Sequence, residues 1–315
     1  MIITGTKERD SVLEKKIVEL GKKVGHTPVL TINPVLYEKP GVEIYAKKEW
    51  AQIGGSVKAR AAYSIIRHAI STGELTREKT LLDATSGNTG IAYAAIAKEI
   101  GLKVALCLPE NASIERKQIL TELGVHIIYT SALEGTDGSQ EKAQELARDH
   151  PEKYFYADQY KNDNNWKAHY HTTAPEILEA VPGITHFVTG LGTTGTFIGT
   201  GRRLRELKPS VKLISFQPDS ALHGMEGWKH LETAVVPTIY DPTVADENIE
   251  ITTEEAYAML QKVYAADGLL LSPSSAANIA GAVKVAQTID HGIIVTILPD
   301  NADKYSEVIK KLIRK

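Results

Sequence analysis

The chain predicts an α/β protein built on mostly parallel sheets, with helices on both faces of each sheet. Three observations lead there. Short apolar or β-branched runs alternate with longer amphipathic ones along most of the length. Several amphipathic runs stop at a glycine, as helix C-termini do. The apolar runs open into turns rich in Gly, Thr and Ser, the setting in which open parallel sheets bind ligands, at the carboxyl ends of their strands.

In order, the strand candidates are "EIYAKKE" (43–49), "TLLDATS" (80–86), "KVALCLP" (103–109), "VHIIYTS" (125–131), "YFYAD" (154–158), "THFVTG" (185–190), "KLISFQP" (212–218) and "GIIVTILPD" (292–300). Each is short, apolar and bounded by turn residues. Between them, "IAYAAIAKEIG", "SIERKQILTELG", "TEEAYAMLQKVYAADG" and "AANIAGAVKVAQTI" carry the 3.6-residue apolar period of helices. Gly73, Gly101, Gly124 and Gly268 stand where helices should end. Residues 219–252 have neither period and read as a long loop, which is more often functional than decorative.

With 315 residues there is room for two domains, and 43% hydrophobic and 24% charged residues are ordinary for a globular protein. A net charge of −3 gives neither a nucleic-acid footprint nor a polybasic membrane surface. No apolar run reaches membrane-spanning length, and residues 1–16 have no signal-peptide core. The single cysteine, Cys107, lies in an apolar run and can form no intrachain disulfide; a cytoplasmic location is expected.

Chemistry concentrates in three motifs. "GLGTTG" (190–195) follows a strand and opens a helix, matching the G-x-G-x-x-G pattern of dinucleotide sites. Such a site also wants an acid at the end of the next strand, where Gln217 stands instead. What remains is an anion cradle of helix-start amides and threonine hydroxyls, suited to one phosphate. "TSGNTG" (85–90) offers a second cradle, suited to a carboxylate, or simply a well-capped helix. "GGSVKAR" (54–60) sets Lys58 after a glycine pair. A solvated surface lysine is the bland reading of that stretch alone. Taken with two anion loops, an amine nucleophile describes what a pyridoxal-phosphate enzyme needs.

Six motifs in register, "GGSVKAR", "TSGNTGIAYAAIA", "PENASIERKQILTELG", "DQYKNDNN…TTAPEIL", "GLGTTGT" and "SPSSAANIAGA", resemble the fold-type II pyridoxal-phosphate enzymes of the cysteine synthase and cystathionine β-synthase group. The likeness runs from about Gly25 to residue 300. It implies a tryptophan synthase β-like architecture of two three-layer αβα domains. The smaller, mobile one (46–149) would carry the substrate-carboxylate loop; the larger (1–45 plus 150–315) would carry the phosphate loop. It implies pyridoxal 5'-phosphate as cofactor and no metal. Lys58 would form the Schiff base and act as the base, and Asn88 would bond the ring oxygen. Gly192, Thr193, Thr194, Gly195 and Thr196 would hold the phosphate, and Ser274 would face the ring nitrogen. Thr85, Ser86, Thr89 and Gln159 would hold the substrate carboxylate. Asp300 and Asn301 rank below Ser274 as polar groups near that nitrogen.

The implied reaction is β-replacement: L-cysteine from O-acetyl-L-serine and sulfide, through an α-aminoacrylate. Condensation of serine with homocysteine and release of sulfide from cysteine are the alternatives within the fold. A nicotinamide oxidoreductase and a catalytically idle binding partner are the alternatives outside it. Partners would be an amino-acid substrate with sulfide or a thiol, a second copy in a homodimer, and a serine acetyltransferase tail. Two places depart from the pattern: Ala59 replaces an acid after the lysine, and "HGMEGWKH" (223–230) replaces a glycine-flanked loop. Asp219 stands where phosphoserine-using relatives have an arginine, which disfavours O-phosphoserine. His169 and His171, two apart on a helix, do not share a face and make no metal pair. Lys229 and His230 read as surface charges, with contact to a second substrate's carboxylate as the alternative.

Overall fold

A computed structural model describes residues 10–85 and 87–313. Its strands are β1 (Val29–Thr31), β2 (Val42–Lys48), β3 (Thr80–Ala84), β4 (Lys103–Pro109), β5 (His126–Thr130), β6 (Tyr154–Tyr156), β7 (His186–Gly190), β8 (Lys212–Pro218), β9 (Glu247–Ile251) and β10 (Gly292–Leu298). The helices are α1 (Ser11–Leu20), α2 (Lys58–Ser71), α3 (Asn88–Ile100), α4 (Ile114–Glu122), α5 (Gly135–Asp149), α6 (Asn164–His171), α7 (Thr173–Ala180), α8 (Gly195–Leu207), α9 (Thr253–Asp267), α10 (Pro273–Thr288) and α11 (Ser306–Ile313).

Two sheets result. One has the order β5-β4-β3-β6 and is wholly parallel; the other runs β1-β2-β10-β7-β8-β9 and is parallel except for β1. Period-two alternation gives each sheet two buried faces. In the smaller sheet, Leu81, Val104, Leu106 and Leu108 face the core under α1, α2 and α3, while Leu82, Ala84, Ala105 and Cys107 face the one under α5. In the larger, Val188, Ile214, Phe216 and Ile294 pack with α9 and α10, and Phe187, Leu213, Val295 and Ile297 with α7 and α8. Each sheet is thus the middle of an αβα sandwich.

The glycine stops hold: Gly101 and Gly268 cap α3 and α9 in the left-handed region, and Gly73 and Gly124 follow α2 and α4 with φ of +70° and +78°. Two strands had no readable sequence signal. β1 spans three residues beside Pro28. β9, "ENIEI", lies inside the expected long loop; it is charged and mostly exposed, as an edge strand is. The rest of that segment, from Asp219 to Asp246, is turns and one short 3₁₀ turn.

Candidate functional site

The carboxyl ends of β3, β7 and β10 converge on the first turn of α2, where Lys58 is the first helical residue. Gly54 and Gly55 adopt φ of +74° and +61°, and a Cβ on Gly54 would lie 3.1 Å from the Ala92 Cα of α3. The glycine pair is therefore needed by the backbone and by α3 packing behind it. The Val57 N–H donates to the Pro299 carbonyl (2.8 Å), which ties the lysine to the end of β10. Burial pushes the Lys58 amine below its ordinary pKa, and the charge of Asp300 opposes that shift.

Lys58 and Asn88 both line two joined compartments. The outer, about 450 Å³, is also lined by Thr85, Thr89 and Gln159. The inner, about 40 Å³, is also lined by Thr193, Thr194, Thr196 and Ser274. Gly192 lines both, whereas Gly195 lines neither: a Cβ there would lie 2.1 Å from Asn165 Oδ1, so it seats the loop on α6. Ser86 lies outside the described residues. Apart from Gly195, all the other sequence-predicted site residues line these two compartments.

The inner wall is the start of α8. Thr194 takes φ of +70°, an uncommon state for threonine, and its hydroxyl is buried with no hydrogen-bond partner. Thr193 Oγ1 accepts from Asn165 Nδ2 (3.1 Å). Amides at a helix start and three hydroxyls, one of them an unsatisfied buried donor, fit a phosphate group, and an amine beside them fits a carbonyl compound. Ser274 is buried, with Oγ 3.2 Å from Ser272 Oγ.

On the outer wall, Thr89 Oγ1 donates to Gln159 Oε1 (2.6 Å), and Gln159 Nε2 donates to the Ala84 carbonyl (3.3 Å). Thr85 Oγ1 accepts the Gly87 N–H (3.2 Å). Asn88 is clamped from the other sheet. Its Nδ2 donates to Asp300 Oδ2 (2.8 Å), and its Oδ1 accepts from Lys304 Nζ (2.9 Å), which also donates to the Gly55 carbonyl (3.0 Å). Asp300 Oδ2 further accepts from the Tyr305 hydroxyl (2.8 Å). Asp300 thus serves Asn88, while Asn301 only caps the 3₁₀ turn Ala302–Lys304.

Sequence reasoning missed Lys304, Tyr305, Arg116 and Glu226. Lys304 and Tyr305 have no motif around them, and Arg116 and Glu226 lie inside "PENASIERKQILTELG" and "HGMEGWKH", where nothing singles out either. The divergent segment 223–230 folds over the second glycine loop. Its Trp228 leaves no space on Gly190, where a Cβ would lie 1.9 Å from the indole, and Gly227 O approaches Gly192 as closely. Its Glu226 pairs with Arg116, and both line the outer compartment. Lys229, read as a surface charge, lines the outer compartment with its ammonium 4.9 Å from the Tyr160 ring. His230 instead contacts Thr233.

Comparison with known proteins agrees with this geometry. A family model described as "Pyridoxal-phosphate dependent enzyme" matches residues 20–300. The cysteine synthase of Aquifex aeolicus is 41% identical over 305 residues, covering 95% of this chain and 93% of the relative. Among solved structures, the O-acetylserine dependent cystathionine β-synthase of Helicobacter pylori superposes with a TM-score of 0.85 at 35% identity, covering 91% of this chain and 96% of that one. A hydrogen sulfide-producing enzyme of Fusobacterium nucleatum gives 0.88 at 31% identity, covering 96% and 93%.

Proposed function

Because the chain belongs to the pyridoxal-phosphate dependent enzyme family and is an enzyme of the cysteine synthase type, we propose that it forms L-cysteine from O-acetyl-L-serine and sulfide, replacing acetate at the β-carbon. The observation that carries this reading is that one partly desolvated amine, Lys58, lines both an inner compartment suited to phosphate and an outer one suited to an amino acid. Pyridoxal phosphate, when bound, supplies a carbonyl carbon for an amine to hold and a ring that draws electrons from the substrate's α-carbon.

In this reading the Gly192–Thr196 loop would hold the phosphate end, Lys58 Nζ would hold the carbonyl carbon, and Asn88 Nδ2 would bond the ring oxygen. Asn88 is well fixed for that work, since Asp300 and Lys304 orient its amide from opposite sides. Thr85, Ser86, Thr89 and Gln159 hold the substrate carboxylate. Lys58 then takes the α-proton at Nζ, and its burial favours the neutral amine that a base requires. The buried Ser274 hydroxyl would face the ring nitrogen and would bring no charge to it. The smaller unit, residues 46–149, closes over the substrate; β6, which pairs with β3, lies just beyond that boundary.

The outer compartment, at about 450 Å³, exceeds what sulfide needs, and this supports a second reading in which the acceptor is an amino-acid thiol such as homocysteine. The visible absorption spectrum of the purified enzyme tests both. We expect a yellow band that shifts on addition of O-acetylserine and reverts with sulfide. Reversion with homocysteine but not sulfide would move the assignment to the second reading. Absence of any band after added pyridoxal phosphate would overturn both.

A further inference from the structure

Behind the second glycine loop lies a buried imidazole that the proposed chemistry leaves unused. His169, on α6, is buried, and both of its ring nitrogens are engaged. Nδ1 is 2.9 Å from Thr173 Oγ1, and Nε2 is 3.3 Å from Thr196 Oγ1. Thr173 is fully buried, whereas Thr196 opens on the inner compartment. Nothing can come between the two helices here: a Cβ on Gly199 of α8 would lie 1.9 Å from the Trp166 carbonyl oxygen and 2.9 Å from His169 Cβ. Burial, followed by the charges of Arg60 and Lys58, pushes the imidazole well below its ordinary pKa. The ring is neutral, so one nitrogen donates and the other accepts.

Only two arrangements of protons satisfy this row. In the first, Nε2–H donates to Thr196 Oγ1, the Thr196 proton is left to point into the compartment, and Thr173 donates to Nδ1. In the second every direction reverses, and Thr196 gives its proton to Nε2 and turns only lone pairs toward the compartment. An anion there is attracted by the first arrangement and repelled by the second. We propose that His169 is a positioning residue whose Nε2–H tautomer makes Thr196 a fixed hydrogen-bond donor to the cofactor phosphate, with Thr173 holding that tautomer from behind. The inference rests on reading Gly192–Thr196 as the phosphate cradle.

Nitrogen NMR of histidine-labelled holoenzyme reads the tautomer directly, with the His169 signals assigned by their loss in His169→Gln. Protonation at Nε2 alone is expected; protonation at Nδ1, or at both nitrogens, overturns the inference. This measurement on the unaltered protein decides the matter even if a variant fails to fold. A second arm measures cofactor retention and the phosphorus NMR resonance of the bound phosphate. Thr196→Val and His169→Gln should each weaken retention by about three- to ten-fold, the effect of one lost hydrogen bond. The double variant should be no weaker than Thr196→Val, because His169 acts through Thr196; additive losses overturn the relay. If Thr193→Val and Thr194→Val leave both readouts unchanged, the cradle assignment itself fails. If they shift both while His169→Gln shifts neither, the cradle stands and only the relay fails.

Discussion

The two glycine loops look alike as strings, "TSGNTG" and "GLGTTG", yet they are held in opposite ways. The second is locked by close packing against its glycines. Cβ atoms on Gly190, Gly192 and Gly195 would all lie within 2.1 Å of Trp228, Gly227 or Asn165, and the Gly190 N–H donates to Asn278 Oδ1 at 2.7 Å. In the first only Gly90, already inside α3, is packed (a Cβ there would lie 2.6 Å from Leu106), while the turn itself is held by side chains reaching in, and a Cβ on Gly87 would meet nothing closer than 3.9 Å. Hydrogen bonds such as Thr89 to Gln159 can be exchanged for bonds to a ligand at little net cost, whereas packed backbone cannot. A loop of the second kind suits a permanent tenant, and one of the first kind suits a molecule that comes and goes.

The lysine shared by both loops gives the largest expected effect. Lys58→Ala removes the amine that the proposed reaction uses twice, so turnover should fall by roughly 10³-fold or more, and the absorption band should change even with cofactor bound. Unchanged turnover would break the comparison at its root. The loops themselves are separated by a matched pair of variants. Gly195→Ala forces a methyl into Asn165 and should cost about 2–3 kcal/mol, or roughly 30- to 150-fold in cofactor retention. Gly87→Ala should hold the cofactor within about three-fold of the native chain, because an ordinary contact replaces open space. Equal losses in dialysis against buffer would mean that the loops do not differ as argued.

A smaller effect belongs to the exchangeable loop alone. Thr89→Val and Gln159→Ala each remove one member of a pair that faces the outer compartment. KM for the amino-acid substrate should rise about ten-fold in each, as for one hydrogen bond to a charged group, with cofactor retention unchanged. A drop in retention with KM intact would exchange the roles of the two loops.

Much of this site can be read from sequence, and the reason is local. Lys58, Asn88 and the threonines of both loops lie within short runs whose glycines and hydroxyls have few other uses. The strand–helix alternation likewise comes from buried faces that repeat every two or 3.6 residues. What stayed hidden depends on partners far apart in the chain. Nothing in "PDNADKY" tells that Asp300, backed by Tyr305, and Lys304 converge on Asn88, more than 200 residues upstream; only the meeting of β3 and β10 ends does. Glu226 and Arg116 are unremarkable surface types until the 223–230 segment folds over the second loop. β9 was lost because an exposed edge strand carries charges where a central strand carries apolar residues.

The smallest expected effect separates what lies beneath the two loops. The residue before Gly190 is neutral Thr189, but β3 buries a carboxyl, Asp83, two residues before Thr85. Its Oδ1 accepts the Ala84 N–H (2.8 Å), and its Oδ2 has no partner. Burial pushes its pKa up from 3.8 to about 7, with the Ala84 N–H opposing. Between those values the folded chain binds a proton that the unfolded chain has released. This residue's contribution to stability is therefore full below about pH 4 and falls as pH rises toward 7. The shift corresponds to about 4 kcal/mol at most, and an asparagine amide left without an acceptor returns about 1–3 of that. Asp83→Asn should accordingly be less stable than the native chain at pH 4 and more stable by about 1–3 kcal/mol at pH 8. Denaturation midpoints at the two pH values measure the crossing. Parallel midpoints, with no change of sign, would show that the first loop stands on a group as neutral as the one beneath the second.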